Sequence, residues 1–451
     1  MKNDYQLIII GAGSGGLTAA EFAHKLGLKR VAIVEKDDRL GGECLHTGCV
    51  PSKALLHAAK TGLKDPWKHV QASIKYIEDR SDNDDHLASL GIDVLHGAAS
   101  FTGKRTIEIA GRTYKSQYFL IASGSHPFVP PIPGLEDIDY LTNENFFQQK
   151  QAPKRLAIIG SGPIGSEMAT AMSALGTKVT LIEQGDRILS RIDPATAQLV
   201  ADNLAARKVN IVTKAELKRV SRAGKSIRLE LGSGNVLVDQ VLVATGRRPN
   251  TDLNLDAAKV EVGSQGITID KYLRTTNSRI YAVGDCTPSP KFTHLAGHQA
   301  ALALGNMLNP LYQMSAERLV PTPAITYTWP EIGGFGIPKE DALAQKDSMH
   351  LRYDLTDNDR IVTDQAEPGF VEVVLDKKGR LLHGTVAADN ASEVLAPLLV
   401  LYGNKRSVTD LANVVFPYPT VAGIVSNIAS DYATKRITSV PGWGVITRKW
   451  R

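Results

Sequence analysis

Tyr5-Gln6-Leu7-Ile8-Ile9-Ile10-Gly11-Ala12-Gly13-Ser14-Gly15-Gly16 reads as a strand running into a glycine turn. An amphipathic stretch then leads to Gly27, and a second apolar run at 31–34 ends in Glu35. Strand, tight turn, helix and strand make one βαβ unit. The pattern returns later in the chain. An apolar run at 156–159 meets Gly160-Ser161-Gly162-Pro163-Ile164-Gly165, a helical stretch follows to Gly176, and a run at 179–182 ends in Glu183. A whole βαβ unit used twice predicts an α/β fold with two nucleotide sites.

Each glycine of Gly-x-Gly-x-x-Gly has its own task. The first permits the turn, the second lets backbone approach a pyrophosphate, and the third lets helix and strand pack closely. The helix N-terminus then offers free N–H groups and a positive dipole end to the phosphates. The acidic residue closing the second strand accepts the ribose 2′-hydroxyl, which predicts Glu35 for the first nucleotide and Glu183 for the second. A carboxylate there repels a 2′-phosphate, so NADH is expected over NADPH, with Arg187 close enough to soften the preference.

The chain has 451 residues, too long for one core. Its net charge of +5 comes without a Lys/Arg block, which argues against nucleic acid as a partner. The apolar run at 7–10 is cut by Gly11, too early for a signal peptide, and no stretch is long enough to span a membrane, so a cytoplasmic location is expected. Three cysteines, Cys44, Cys49 and Cys286, exclude a secreted disulfide scaffold.

Between the two repeats, Pro127-Phe128-Val129-Pro130-Pro131-Ile132-Pro133-Gly134 reads as a rigid turn region. Residues 213–239 alternate as short strands, and 241–243 is a buried strand leading to Ala244-Thr245-Gly246. From about Pro321 the pattern changes to strands at 324–328, 369–375 and 381–386 with helices at 391–402 and 420–433, an α+β domain without a glycine loop. The tail 437–451 reads as an irregular end. A membrane-surface role for Trp443 and Trp450 lacks helical periodicity.

Chemistry concentrates in Gly41-Gly42-Glu43-Cys44-Leu45-His46-Thr47-Gly48-Cys49-Val50-Pro51-Ser52-Lys53. At the start of a helix this spacing sets the two cysteines about one turn apart, within reach of a disulfide. Helix N-termini and cations such as Lys53 depress thiol pKa values. Zinc would need two further ligands, and beyond His46 no second pair is evident, so no metal site is expected.

This segment resembles the redox-disulfide signature of the pyridine nucleotide-disulfide oxidoreductases, which include dihydrolipoamide dehydrogenase, glutathione reductase and mercuric reductase. The likeness extends through Ala122-Ser123-Gly124-Ser125-His126-Pro127, Ala244-Thr245-Gly246-Arg247-Arg248-Pro249-Asn250, Ala282-Val283-Gly284-Asp285-Cys286 and Tyr327-Thr328-Trp329-Pro330-Glu331. It implies two Rossmann-like dinucleotide-binding domains plus a C-terminal α+β dimerisation domain. FAD would be bound by 1–148 with 249–318, NAD(P)H by 149–248, and 319–451 would form a homodimer whose active site is shared between subunits. Gly11, Gly13, Ser14, Gly15, Gly16 and Glu35 would hold the ADP half of FAD, with Gly124 and Asp285 on its other parts. Lys53 would lie near the flavin, paired with Glu167. Cys49 would face the flavin as the charge-transfer thiol, and Cys44 would meet the substrate. Gly160, Gly162, Gly165, Glu183 and Gly246 would hold NAD(H). Cys286 reads as a buried apolar residue.

The chain departs from the dithiol-handling members of the family at one place. Their His-Pro-Thr-x-x-Glu, whose His is the catalytic base, is here Tyr418-Pro419-Thr420-Val421-Ala422-Gly423. Tyrosine, with a pKa of ~10, is a poor base at neutral pH. His46 and His294 are the other candidates for a replacement base, and each reads instead as an ordinary polar-surface or FAD-adjacent histidine. Phe416-Pro417-Tyr418-Pro419-Thr420 resembles the corresponding stretch of mercuric reductases, and thiolates bind a soft metal ion directly. The C-terminal cysteine pair of those enzymes is missing from Arg448-Lys449-Trp450-Arg451. The expected function is therefore an NAD(P)H oxidoreductase passing electrons through FAD and Cys44/Cys49 to a soft metal ion or small disulfide. The alternatives are a dihydrolipoamide dehydrogenase with a substituted base and an NADH diaphorase or quinone reductase.

Overall fold

The computed structural model describes residues 4–309, 311–319 and 321–438. It divides into two compact units, Met1–Ile188 with Ala205–Val320 and Leu189–Leu204 with Pro321–Arg451.

In the first unit, strand Tyr5–Ile10 lies at the centre of a parallel arrangement, between Val31–Glu35 and Arg112–Ile121. Leu7, Ile8, Ile9 and Ile10 are all buried, because helices cover one face of the sheet and further strands the other. The pleat sends alternate side chains into different cores. Leu7 and Ile9 pack with Ala19, Ala23 and Leu304, whereas Ile8 and Ile10 pack with Phe101, Ile107 and Ile280. Ile92–His96 extends the sheet beyond Val31–Glu35, and Ile280–Ala282 joins it on Arg112–Ile121. Hairpin strands Ser100–Gly103 and Thr106–Ile109 complete its seven members.

The second glycine loop has its own four-stranded parallel sheet, ordered Asn210–Val212, Lys178–Ile182, Arg155–Ile159, Gln240–Val243. The alternation at 213–239 becomes an antiparallel meander of Leu217–Ala223, Ser226–Leu231 and Gly234–Val238. Val220 and Leu229 from its inner face pack with Ala157 and Val241.

The second unit carries a five-stranded antiparallel sheet, ordered Ala324–Thr326, Glu331–Gly336, Leu381–Ala388, Phe370–Leu375, Met349–Asp354. Helix Ala391–Gly403 lays Leu395 and Leu398 against Val371, Val373 and Val386. One helix differs from expectation. It spans Val425–Thr438 rather than 420–433, and a 3-10 turn at Ala422–Ile424 precedes it. The Thr420 hydroxyl donates to the Pro417 carbonyl and accepts from the Gly423 N–H, local bonds that compete with a regular helix. From Val425 the burial of Val425, Ile428, Ala429 and Tyr432 follows helical spacing. Trp443 and Trp450 lie outside the described residues. No described helix is long and apolar enough to cross a membrane.

Candidate functional site

In the first loop, Gly11 takes φ +103°, and a Cβ there would lie 2.5 Å from the Ala122 carbonyl oxygen. Only glycine fits this left-handed, crowded position. Glu35 turns its carboxylate back onto the loop, accepting from the Ala12 N–H at 2.8 Å and the Asp37 N–H at 3.1 Å. The Ser14 hydroxyl donates to the Thr293 carbonyl at 3.0 Å, tying the loop to helix Thr293–Leu308.

This loop forms part of the wall of a cavity of about 1340 Å³, larger than the ~300–1,000 Å³ of most small-molecule pockets. Gly13, Gly15, Glu35, Cys44, Cys49, Lys53, Gly124, Glu167 and Asp285 all line it. A dinucleotide fits what the wall offers. Gly124 has open space where a Cβ would stand. His46 Nδ1 is buried without a hydrogen-bond partner among the described residues, while Nε2 donates to the Leu40 carbonyl at 2.5 Å. His46 thus lines the nucleotide cavity with Nδ1 unpaired among the described residues. His294 stacks on Phe292 instead, ring centroids 5.3 Å apart.

The two cysteines do not share one helix as the spacing suggested. Cys44 lies in Gly42–His46, and Cys49 begins a second helix, Cys49–Thr61. Thr47 is non-helical at φ −141°, and a Cβ at Gly48 would lie 3.0 Å from the Glu43 carbonyl oxygen, so the chain turns between the helices at its smallest residue. Both thiols are free, and the two sulfurs are hydrogen-bonded to each other. That bond from Cys44, followed by the Thr293 hydroxyl 3.3 Å away and the Lys53 ammonium, holds the Cys49 thiol well below the ordinary thiol range despite burial. The same bond, with burial, keeps the proton on Cys44. Cys286 is fully buried, and desolvation pushes its thiol up to about 11, which makes it inert.

Lys53, one helical turn beyond Cys49, donates to Glu167 at 2.9 Å, and the glutamate side chain is only 7% exposed. Asp285 accepts from the Ser125 hydroxyl at 2.7 Å. Arg247 gathers these groups together. Its guanidinium donates to the Ser125 hydroxyl at 2.8 Å and the Ser125 carbonyl at 2.7 Å, and it pairs closely with Glu43. Burial pushes the Glu43 carboxyl up to about 7 even with that cation against it. The sequence did not single out Thr293, and it gave Arg247 and Glu43, though inside the motifs, no role of their own. Their contacts join positions 244 and 204 residues apart, which no local pattern encodes.

The second loop repeats the first. Gly160 takes φ +99° with its would-be Cβ 2.5 Å from the Ala244 carbonyl oxygen, and Glu183 accepts from the Ser161 hydroxyl at 2.5 Å and the Gly185 N–H at 2.7 Å. Nothing lies within 4 Å of a Cβ built on Gly162 or Gly246. Gly165 is buried in helix Pro163–Ala174, the helix that carries Glu167. Arg187 lies near Asp186, at 3.7 Å.

Tyr418 belongs to the second unit and is 82% exposed. Its hydroxyl donates to Asp359 Oδ2 at 2.5 Å, and that carboxylate raises the phenol's pKa above its ordinary value.

Two nucleotide loops on βαβ units and a dithiol on a broken helix are the build of a dinucleotide-dependent thiol oxidoreductase. Residues 5–300 match the pyridine nucleotide-disulphide oxidoreductase model, and residues 322–428 match the dimerisation domain of that family. The chain belongs to this family and is an FAD-dependent disulfide oxidoreductase. It is 35% identical over 449 residues to the mercuric reductase of Bacillus cereus, covering 93% of this chain and 70% of that protein. It is 30% identical over 453 residues to the dihydrolipoyl dehydrogenase of Mycoplasma pneumoniae, covering 94% and 98%. Its structure is similar to the Cu(II) complex of the HOCl-induced flavoprotein disulfide reductase RclA from Escherichia coli, with a TM-score of 0.88 and 25% identity over 95% of this chain and 99% of that one.

Proposed function

We propose that this enzyme takes electrons from NADH, passes them through FAD to Cys44 and Cys49, and delivers them to a soft metal ion, with a small disulfide as the other acceptor the thiols can serve. The observation that carries the choice of acceptor is Tyr418, a phenol held protonated by Asp359 where dithiol-handling relatives keep a histidine base.

The first loop, Glu35, Gly124 and Asp285 would hold FAD in the large cavity, and Glu183 with the second loop would hold NADH. FAD, when bound, supplies two-electron transfer between nicotinamide and sulfur. The chain's own residues do the rest. Lys53 and Glu167 fix each other beside the thiols, and Lys53 favours the Cys49 thiolate. Cys44 keeps the remaining proton. When both sulfurs close on a soft divalent cation, that single proton is released, and no base has to strip an incoming thiol. A dithiol substrate would need such a base. The two nucleotide domains are read as 1–148 with 249–318 and 149–248, and the C-terminal domain 319–451 as the seat of a homodimer that brings Tyr418 to the partner's thiols. A location in the cytoplasm suits thiols that must stay reducible.

Steady-state NADH oxidation with Hg²⁺, Cu²⁺, lipoamide and glutathione disulfide tests this choice. The metal ions should be turned over at least about tenfold faster than lipoamide. Faster turnover of lipoamide would overturn it.

A further inference from the structure

Gly423 stands where the dithiol-handling relatives place the glutamate that supports their histidine, so the sequence supplies Tyr418 with no partner at that spacing. The fold supplies one from elsewhere. Asp359 opens helix Asp359–Asp364, 59 residues earlier in the chain, and its Oδ2 accepts the Tyr418 hydroxyl at 2.5 Å.

We infer that Asp359 is a positioning residue for Tyr418, and that this Tyr–Asp pair replaces the family's His–Glu pair with a neutral hydroxyl suited to a thiol-bound soft metal ion. The inference rests on the proposed function for Tyr418 and adds the residue that orients it. Three observations favour it. The neighbouring Arg360 is engaged with Asp364 at 2.6 Å, which leaves the Asp359 carboxylate to the phenol. Among the described residues, Asp359 is the one charged group that shifts Tyr418, first through the hydrogen bond and then through its charge. With its proton committed to the carboxylate, the phenol of this 82% exposed side chain keeps oxygen lone pairs with which to act as an acceptor or weak ligand rather than a base.

Turnover of Hg²⁺ by the intact holoenzyme tests this in a double-mutant cycle of Asp359→Asn and Tyr418→Phe. Asp359→Asn should lower kcat/KM about tenfold in the wild-type background and less than about twofold in the Tyr418→Phe background. Asp359 also sits in the first turn of its helix, where a carboxylate favours the helix dipole. That structural effect is the same in both backgrounds and cancels in the cycle. The second readout is the tyrosinate absorbance transition that Tyr418→Phe removes. It should move to lower pH in Asp359→Asn. Equal effects in both backgrounds with an unmoved transition would overturn the inference. If Tyr418→Phe changes no turnover, the role proposed for Tyr418 fails, and with it a part for Asp359 in the reaction.

Discussion

The two glycine loops have almost the same backbone and opposite surroundings. Gly11 and Gly160 take φ +103° and +99°, each a would-be Cβ's 2.5 Å from a carbonyl oxygen of the neighbouring strand's exit, and each loop is closed by a glutamate accepting backbone N–H groups. Around the first, however, helix Thr293–Leu308 packs close. A Cβ on Gly15 would lie 3.6 Å from Ala296 and 3.5 Å from Val283. Around the second there is open space at Gly162, and Ile164 is 38% exposed. The same local sequence therefore makes a walled seat and an open one. A walled seat suits a nucleotide that stays, and an open one suits a nucleotide that comes and goes.

Breaking each loop should separate these roles. Gly11→Ala forces a side chain into a left-handed turn, at ~1–2 kcal/mol before the clash with Ala122. The purified variant should lack flavin absorbance. Gly160→Ala should retain its flavin and raise KM for NADH at least about tenfold. Loss of flavin from Gly160→Ala would dissolve the distinction.

The bridge between the seats is the next target. Lys53→Met removes the partner of Glu167 and a cation near Cys49, and flavin reduction by NADH in stopped flow should slow roughly 10²-fold. A smaller effect belongs to the open seat alone. Glu183→Gln removes the carboxylate proposed to disfavour a 2′-phosphate, and the NADH/NADPH ratio of kcat/KM should fall about tenfold.

The smallest effect is a titration. The Cys44 hydrogen bond, Thr293 and Lys53 all favour the charged form of Cys49, so its thiolate persists to lower pH than an ordinary thiol with pKa ≈ 8.5. Alkylation of the reduced protein by iodoacetamide should stay fast at neutral pH and be lost only as pH falls through the lowered value. Thr293→Val should move that loss to higher pH. An unshifted profile would remove Thr293 from the thiol site.

Local signals in the sequence sufficed for both βαβ units, because parallel strands buried on both faces read as unbroken apolar runs ending in glycine turns. The glutamates at 35 and 183 followed from the fixed length of a βαβ unit. Three features were hidden. The break between the cysteine helices falls at Gly48, which packs against the Glu43 backbone five residues earlier, where periodicity alone suggested one continuous turn. Thr293 reaches Cys49 only after the first sheet is assembled, and Asp359 reaches Tyr418 through the packing of the second unit. Such pairs are fixed by the fold and carry no spacing that a linear reading detects.

The central claim is that electrons leave through Cys44 and Cys49. Anaerobic NADH titration of the wild-type protein and Cys44→Ser, followed by turnover with Hg²⁺ and with a quinone, tests it most directly. The wild type should take up two equivalents of NADH, one for the flavin and one for the pair, and Cys44→Ser only one, with metal turnover abolished. Equal uptake by both proteins, with the quinone reduced at equal rates and no metal turnover in either, would contradict the thiol route and leave a diaphorase.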